Sequence, residues 1–396
     1  MNVLTAGLVS LALTGGLPEV DWLGDAVPGG SARALGMGET GFMDPSPLGA
    51  LVNPAVLSIV GEGTGVEASG SAVFSMEKRT RKVYDSFGST IGESEYSFVQ
   101  DFSFLPGGVA VSLAGPGSGL PSSVAVAAGW TVPLSYCYSW HRTVRDDNYV
   151  KTGEERLDVS GITSEFALSV AFMPSENVSV GIGGGYVTGS RKTEWEETFV
   201  DPTIPGVLAS GTRDVSGLNL RGGVMVRLLP RLRLSVAAEK AVSFTLTDSL
   251  GEEDVSRPLM LRGGAEYVPG NSMHSVFTAE FYWRDDGSVT VDGLDAGLHT
   301  AWGFHAGVEN HIPGGPDARV GFCYDGSPLS RALDRMTFTA GVGVEIEEWN
   351  LDAGAGFSPV SWRQTEVPGL ASFDPGDSLT VEESTTRLAV SLRRTF

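Results

Sequence analysis

Apolar and polar residues alternate with a period of two along most of the chain beyond residue 60. Over residues 165–172, for example, the sequence EFALSVAF places Phe, Leu, Val and Phe on one face and Glu, Ala, Ser and Ala on the other. The same alternation continues to the end of the chain, where Leu388, Val390 and Leu392 precede the terminal Phe396. A period of two predicts β-strands that each have one apolar face.

The connections between these segments alternate in length. Short turn signals, such as those at 174–177, 229–230 and 105–108, alternate with longer polar stretches near 78–93, 143–156, 197–212, 248–255, 286–298, 326–334 and 363–383. Counting the segments between them gives about 14 strands. Short connections on one side and long ones on the other are typical of membrane barrels. The sequence therefore predicts an all-β fold, a transmembrane antiparallel β-barrel; the alternative, a soluble sandwich or propeller, has shorter strands.

The N-terminal part of the chain does not alternate. Residues 3–13 form an apolar run that is too short to span a bilayer as a helix, and residues 1–20 are predicted to be a signal peptide without a basic segment. The stretch from Gly30 to Leu57 is rich in Gly, Pro and small residues. We therefore expect residues 21–62 to form a plug, or hatch, in the lumen of a barrel made by residues 63–396; the alternative is a periplasmic linker.

Composition and charge narrow the class of function. The 396 residues include 53 Gly, and a formal net charge of −21 with few cations argues against binding to nucleic acid. Charges of both signs share the predicted lumenal faces, which favours structural ion pairs over an ion-selective pore. Cys137 and Cys323 also fall on lumenal faces and are expected to be free thiols. Tryptophans near strand ends, among them Trp140 and Trp362, are expected in interfacial girdles.

The sequence contains no motif of a known catalytic site. It has no nucleophile elbow, no Walker-type phosphate loop and no zinc-protease helix. The five histidines lie on different strands or loops, and His305 and His311, which share a face with Glu309, are expected to be polar lining of the lumen. We therefore expect no enzyme activity, no cofactor and no metal.

One short motif has a family resemblance. The motif is ARALGMG at residues 32–38 followed by NPA at 53–55. It is similar to the N-terminal hatch of the FadL superfamily of outer-membrane proteins, and its sequence is most like the PorV branch. The resemblance implies a barrel of about 14 strands with an N-terminal plug. It assigns the following residues to the hatch motif: Leu35, Gly36, Met37, Gly38, Asn53, Pro54 and Ala55.

The resemblance also implies a function and a location. It implies transport of small hydrophobic or amphipathic molecules across the bacterial outer membrane, with a lateral exit through the barrel wall. The candidate for this exit is a kink in the third strand, formed by Gly115, Pro116, Gly117 and Gly119. The alternative for that segment is a simple bulge or loop. A second hypothesis is a PorV-like component of type IX secretion that binds secreted cargo proteins. The expected partners are outer-membrane lipid and the barrel-assembly machinery, which would recognise Leu388, Val390, Leu392 and Phe396. The N-terminus is expected in the periplasm or lumen and the long loops outside the cell.

Overall fold

The chain folds into a closed antiparallel barrel that surrounds a short helical plug. The computed structural model describes residues 24–26, 30–85, 87–145, 150–249, 251–270, 274–364 and 379–396. Within them, fourteen strands form a continuous wall, and the first strand pairs with the last. The predicted fold class is confirmed, whereas the predicted signal peptide lies outside the described residues.

The strands follow one another around the barrel in chain order. Two of them are interrupted, β3 and β8, and a small hairpin of Thr290–Val291 and Leu294–Asp295 lies between β9 and β10. The bounds are β1 Gly63–Tyr84, β2 Thr90–Ala114, β3 Val124–Thr131 with Leu134–Ser135 and Tyr138–Arg145, β4 Lys151–Ser175, β5 Val178–Phe199, β6 Val207–Leu229, β7 Leu232–Asp248, β8 Gly251–Ser256 with Met260–Tyr267, β9 Val276–Arg284, β10 Ala301–His311, β11 Asp317–Asp325, β12 Arg335–Ile346, β13 Trp349–Gln364 and β14 Leu379–Thr395.

Closure removes the edges of the sheet. Residues 65–81 of β1 pair with β14, and the main chains of Thr64 and Phe396 exchange two hydrogen bonds of 3.2 and 2.8 Å. Because unpaired backbone groups cost several kcal/mol each in hydrocarbon, a sheet that faces lipid has to close in this way.

The apolar faces of the strands point away from the barrel axis. Phe166, Leu168 and Phe172 are 58%, 58% and 54% exposed, whereas the alternating Glu165 and Ser169 are buried. Exposed apolar side chains recur on the other strands, among them Phe102, Ile182, Leu220, Val236, Phe281, Val320, Phe338, Phe357 and Val390. An apolar exterior around a polar interior is the arrangement of a barrel that sits in lipid. In the part of the chain that the structure describes, no helix is long and apolar enough to cross a membrane.

Several strands are longer than the sequence pattern predicts. β2 and β4 contain 25 residues each, more than the 9–11 or so that a tilted strand needs to cross a bilayer. Polar stretches that we expected to be loops, near 78–93 and 143–156, are largely paired strand, because a hairpin satisfies the backbone groups of polar sequence as well as of apolar sequence. The expected turn at 105–108 is wrong: it is a bulge inside β2, with Gly107 as the additional residue.

The plug consists of three short helical turns inside the barrel. They are α1 Ala32–Gly36, α2 Pro47–Val52 and a 3-10 helix over Pro54–Ile59. The residues of α1 are all buried, and so are those of α2 except Val52. We use the name plug for the residues 30–62 that carry these turns.

Candidate functional site

Each helical turn of the plug begins at a side-chain cap. Ser31 Oγ accepts a hydrogen bond of 3.1 Å from the Ala34 amide, Ser46 Oγ accepts one of 3.0 Å from Gly49, and Asn53 Oδ1 accepts one of 3.2 Å from Ala55. Proline follows Ser46 and Asn53 at the first helical position, where its missing N–H costs nothing. The Asn-Pro-Ala sequence thus starts a turn that is too short to be stable without its surroundings.

The barrel wall contacts the main chain of the plug through glycines that face the lumen. A Cβ atom added to Gly321 would lie 2.1 Å from the Gly38 amide nitrogen, and one added to Gly307 would lie 2.1 Å from the Met37 carbonyl oxygen. On the other side of the lumen, a Cβ on Gly181 would lie 2.4 Å from the Pro54 carbonyl carbon. The plug therefore needs wall positions without side chains. Sequence reasoning missed this role, although inward glycines at every second residue, as at 181, 183 and 185, were a visible signal.

Buried ion pairs fix the plug to β10, β11 and β13. Arg33 contacts Asp44 at 2.8 Å within the plug and Glu309 of β10 at 2.9 Å. Glu309 is also paired with Arg319, which contacts Asp352 at 2.6 Å. Burial alone would lower the pKa of Arg33, but the carboxylates of Glu309 and Asp44 raise it above its usual value, so the guanidinium stays charged. The expectation that lumenal charges form structural pairs is confirmed in this network.

Two carboxylates of the wall bind backbone amides of the plug. Glu280 of β9 accepts hydrogen bonds from the amides of Phe42 and Met43, at 3.3 and 2.8 Å, and Glu67 of β1 accepts one of 3.0 Å from Leu48. Such charge-assisted bonds are about twice as strong as neutral ones. The plug is consequently held from opposite sides of the barrel.

The space beside the plug is narrow. A cavity of about 30 Å³ lies between the plug and the wall strands β1 and β14, where Gly30, Glu39, Ser69 and Arg387 contribute to its lining. That volume holds about one water molecule. The plug and the wall are thus closely packed at this point.

The plug occupies the half of the barrel that carries the short turns, and an apolar cluster occupies the other half. On β5, Gly181 contacts the plug close to the short turn before Val178, whereas Val187 and Trp195 lie further toward the long connections. The upper cluster, as we call it, contains the buried side chains of Val99, Leu134, Tyr136, Trp140, Leu157, Val159, Val187, Trp195, Val215, Phe244, Leu246, Val255, Val289 and Leu298.

The burial of two tryptophans corrects the expectation for them. Trp140 is 1% exposed and stacks on Trp195 with ring centroids 6.1 Å apart, and Trp362 is 7% exposed, so neither lies in an interfacial girdle. The alternation of the sequence shows only that two faces differ; it does not show which apolar residues turn inward. Apolar and aromatic side chains in a lumen offer a small hydrophobic ligand matching surface, and here buried charged residues such as Arg142 and Glu155 lie beside them.

The barrel wall next to this cluster lacks a backbone ladder along one boundary. Among the described residues, the ladder between β2 and β3 joins residues 108–114 to 125–131 and is followed by one bond of 3.4 Å from the Val132 amide to the Gly107 carbonyl oxygen. Beyond Thr131, β3 is broken around Pro133, and its Leu134–Ser135 segment pairs instead with the short extended segment Asp25–Ala26. In the described parts of both strands, residues 90–106 of β2 and Tyr138–Arg145 of β3 share no backbone pairing. We call this boundary the seam.

Side chains close the seam in place of backbone hydrogen bonds. Trp140 Nε1 donates to Ser97 Oγ at 3.1 Å across it, and the Arg142 guanidinium lies 4.6 Å from the centroid of the Tyr96 ring. Side-chain contacts separate without breaking a β-ladder, whereas the neighbouring boundaries of β2 with β1 and of β3 with β4 are held by backbone hydrogen bonds. Val99 and Trp140 belong to the upper cluster and face the lumen directly behind it.

The structure corrects the position of the predicted kink. Pro116–Ser118 is a 3-10 turn, and Gly115 and Gly119 flank it in the connection between β2 and β3. These residues lie at the short-turn end, where Ala114 pairs with Ala125 beside them, and they do not interrupt a strand. The interruption of the third strand lies instead at residues 132–137, because Pro133 cannot donate a ladder hydrogen bond.

The other predicted site residues are placed as follows. The hatch-motif residues Leu35, Gly36, Met37, Gly38, Asn53, Pro54 and Ala55 are all buried in the plug. On β14, Leu388, Val390 and Leu392 are exposed on the outer face, and Phe396 follows them with 62% exposure. That placement fits a lipid-facing last strand, and its recognition by the assembly machinery stays a prediction. Cys137 and Cys323 are free thiols, as expected.

Comparisons with known proteins agree with this architecture. No protein-family model matches the sequence, and no curated protein matches it significantly. Solved structures with a similar fold are a FadL homologue from Pseudomonas aeruginosa (TM-score 0.64, 15% identity, 94% of this chain and 100% of that chain), the Pseudomonas putida toluene transporter TodX (0.60, 14%, 94% and 99%) and the Ralstonia pickettii toluene transporter TbuX (0.57, 17%, 93% and 99%). The resemblance to FadL-type barrels is thereby confirmed at the level of the fold.

Proposed function

We propose that this protein is an outer-membrane channel that admits small hydrophobic or amphipathic molecules into the upper cluster and releases them sideways through the seam. The observation that carries the proposal is the position of a buried aromatic and aliphatic cluster directly behind a wall boundary without backbone pairing. A hydrophobic solute on this route exchanges one apolar environment for another, and it avoids the narrow space beside the plug.

Two further observations support the proposal. The outer face of β2 along the seam carries the exposed side chains of Phe98, Phe102 and Phe104, so a solute that leaves through the seam meets an apolar surface on that side. Two solved structures of similar fold are described as toluene transporters. The other hypothesis, a secretion component that binds cargo proteins, does not require an apolar lumen or a seam.

Uptake of radiolabelled toluene tests the proposal. We expect cells that display the protein in the outer membrane to take up toluene faster than cells with an empty vector. Val187 is fully buried in the upper cluster, and a Val187→Gln variant places an amide there at a cost of about 1–3 kcal/mol. Uptake above the empty-vector rate should fall at least about fivefold in this variant.

Val200→Gln is the matched control, because Val200 follows β5 and its side chain is 59% exposed. Toluene uptake at the empty-vector rate by the correctly assembled wild-type barrel would show that the chain is not such a channel. Co-purification of a secreted cargo domain under those conditions would favour the secretion component instead.

A further inference from the structure

Three potential metal ligands meet on the lumenal face of β10 and β11. His305 and Cys323 are direct cross-strand partners, and Asp325 follows Cys323 on the same face. One ring nitrogen of His305, the Cys323 Sγ and a carboxylate oxygen of Asp325 lie within 4.8 Å of one another. Nitrogen, sulfur and oxygen donors in one cluster are the ligand set that Zn²⁺ uses in proteins.

Hydrogen bonding around His305 points to a cation at its second ring nitrogen. His305 Nδ1 lies 3.1 Å from the Glu39 carbonyl oxygen, which only accepts hydrogen bonds, so Nδ1 carries a proton. Nε2 lies 2.9 Å from Asp325 Oδ1, which already accepts a bond of 2.8 Å from the Tyr282 hydroxyl. In a neutral ring the Nε2 lone pair would face a carboxylate lone pair. Either a second ring proton or a metal ion relieves that contact.

The groups behind the three ligands are arranged as in known metal sites. The Glu39 carbonyl orients the imidazole, and the Tyr282 hydroxyl orients the Asp325 carboxylate, as outer partners of metal ligands do. Gly303 stands opposite Tyr282, and a Cβ there would lie 2.1 Å from the tyrosine ring, so the glycine makes room for it. Glu39 adopts a left-handed backbone conformation, with φ of 61°, which costs of order 1–3 kcal/mol in a non-glycine residue and is common at functional sites.

Access and geometry suit a divalent ion. The Cys323 thiol is fully buried, the His305 side chain is 14% exposed and the Asp325 side chain is 33% exposed, so the cluster opens toward the lumen at Asp325. Ligand atoms around a tetrahedral zinc ion are about 3.2–3.8 Å apart. Cys323 Sγ, which lies within 4.8 Å of the other two ligand atoms, therefore has to move in by up to about 1 Å, whereas His305 Nε2 and Asp325 Oδ1, 2.9 Å apart, have to separate slightly. The fourth position would be open to water from the lumen.

We propose that His305 Nε2, Cys323 Sγ and Asp325 bind a zinc-class divalent cation above the plug. Binding replaces the thiol proton of Cys323 and any proton on His305 Nε2, and both protons pass to solvent. Because the Glu39 carbonyl belongs to the plug and orients His305, occupancy of this site and the position of the plug are coupled. The proposal does not depend on the transport function.

Cobalt substitution of the full-length protein in detergent tests the site. After removal of metals with a chelator and of any polyhistidine tag, Co²⁺ should bind with a stoichiometry of about one and give a thiolate-to-cobalt charge-transfer band that Zn²⁺ abolishes. The key protein is Cys137→Ser, in which Cys323 is the sole remaining thiol. We expect the full band in this variant and its loss in Cys323→Ser.

A second variant tests the outer partner. Tyr282→Phe removes only a hydroxyl and should lower Co²⁺ affinity about 10–100-fold while the band keeps its position. Heat-modifiable gel migration restricts the comparison to folded barrels. Absence of the band from folded Cys137→Ser, or its persistence in Cys323→Ser, would overturn the proposal; if Cys323→Ser does not assemble, the Cys137→Ser spectrum alone decides. Weak binding by exposed acidic loops gives no thiolate band.

Discussion

The contact between the plug and the glycine-lined wall predicts the effect of one added methyl group. In Gly321→Ala the new Cβ would lie 2.1 Å from the Gly38 nitrogen, about 1.3 Å inside the ordinary contact limit of 3.4 Å. Both partners are main chain, so no change of rotamer relieves the overlap. Overpacking of this kind costs about 1–3 kcal/mol. Full release of the adjacent plug segment costs more, because Leu35 and Met37 are 5% and 1% exposed and each contributes about 1.5–3 kcal/mol by burial.

The plug in this variant should therefore stay in the lumen but leave its docked position more often. A loss of about 1–3 kcal/mol in docking raises the population of displaced states about 5–150-fold. Single-channel recording in planar bilayers measures this directly, as an increase of that size in the frequency of openings to small ions. Limited proteolysis of the plug in detergent should show the same increase.

Gly263→Ala is the control for this experiment. Gly263 lies on β8, and the nearest atom to an added Cβ is the Ser235 carbonyl oxygen at 3.9 Å, an ordinary contact. This variant should match the wild type in both assays. Equal opening frequencies in Gly321→Ala and Gly263→Ala, with both barrels folded, would refute the conclusion that the wall requires glycine where it contacts the plug.

Three further predictions concern the anchors of the plug and the end of the chain. Asn53→Ala removes bonds of 3.1 Å to the Phe42 carbonyl and 2.9 Å to Ser235 Oγ, and the plug should become cleavable by protease after a loss of about 1–3 kcal/mol. Arg319→Met removes the guanidinium beside the buried Asp352 and one of the two beside Glu309, which keeps Arg33. This variant should lower the free energy of unfolding in guanidinium chloride by about 3–5 kcal/mol, whereas Arg363→Met, at an exposed position, should change it little. Deletion of Phe396 should reduce the fraction of heat-modifiable, assembled barrel in outer membranes, and unchanged assembly would refute its role as an assembly signal.

The strands and the difference between their two faces were predictable because both depend on local pattern. A period of two can be recognised without knowing the partner strand. The number of strands follows from counting the alternating segments between the turn signals. The plug was predictable for the opposite reason, since residues 30–57 break the alternation with Gly, Pro and capping side chains.

The seam and the interior sites depend on register, which the sequence does not show. Pro133 marks a break in β3, but the sequence does not show that the ladder to β2 ends beside the bulge at Gly107. His305 and Cys323 meet because a five-residue turn brings them opposite one another across β10 and β11. A shift of one residue would turn one of them toward lipid.

The contacts that anchor the plug also determine when the plug can dock during folding. The plug precedes the barrel in the chain, yet Arg33 is 276 residues from Glu309, and the Ala32 amide donates to Ser391, 359 residues away. Contacts of such high sequence separation form late, because a long loop has to close before they are gained. The first segment of the domain to be made is thus the last to find its partners. Until β14 arrives, its apolar turns have no complete site to bury them, so the unfinished chain exposes more apolar surface than a barrel without a plug would.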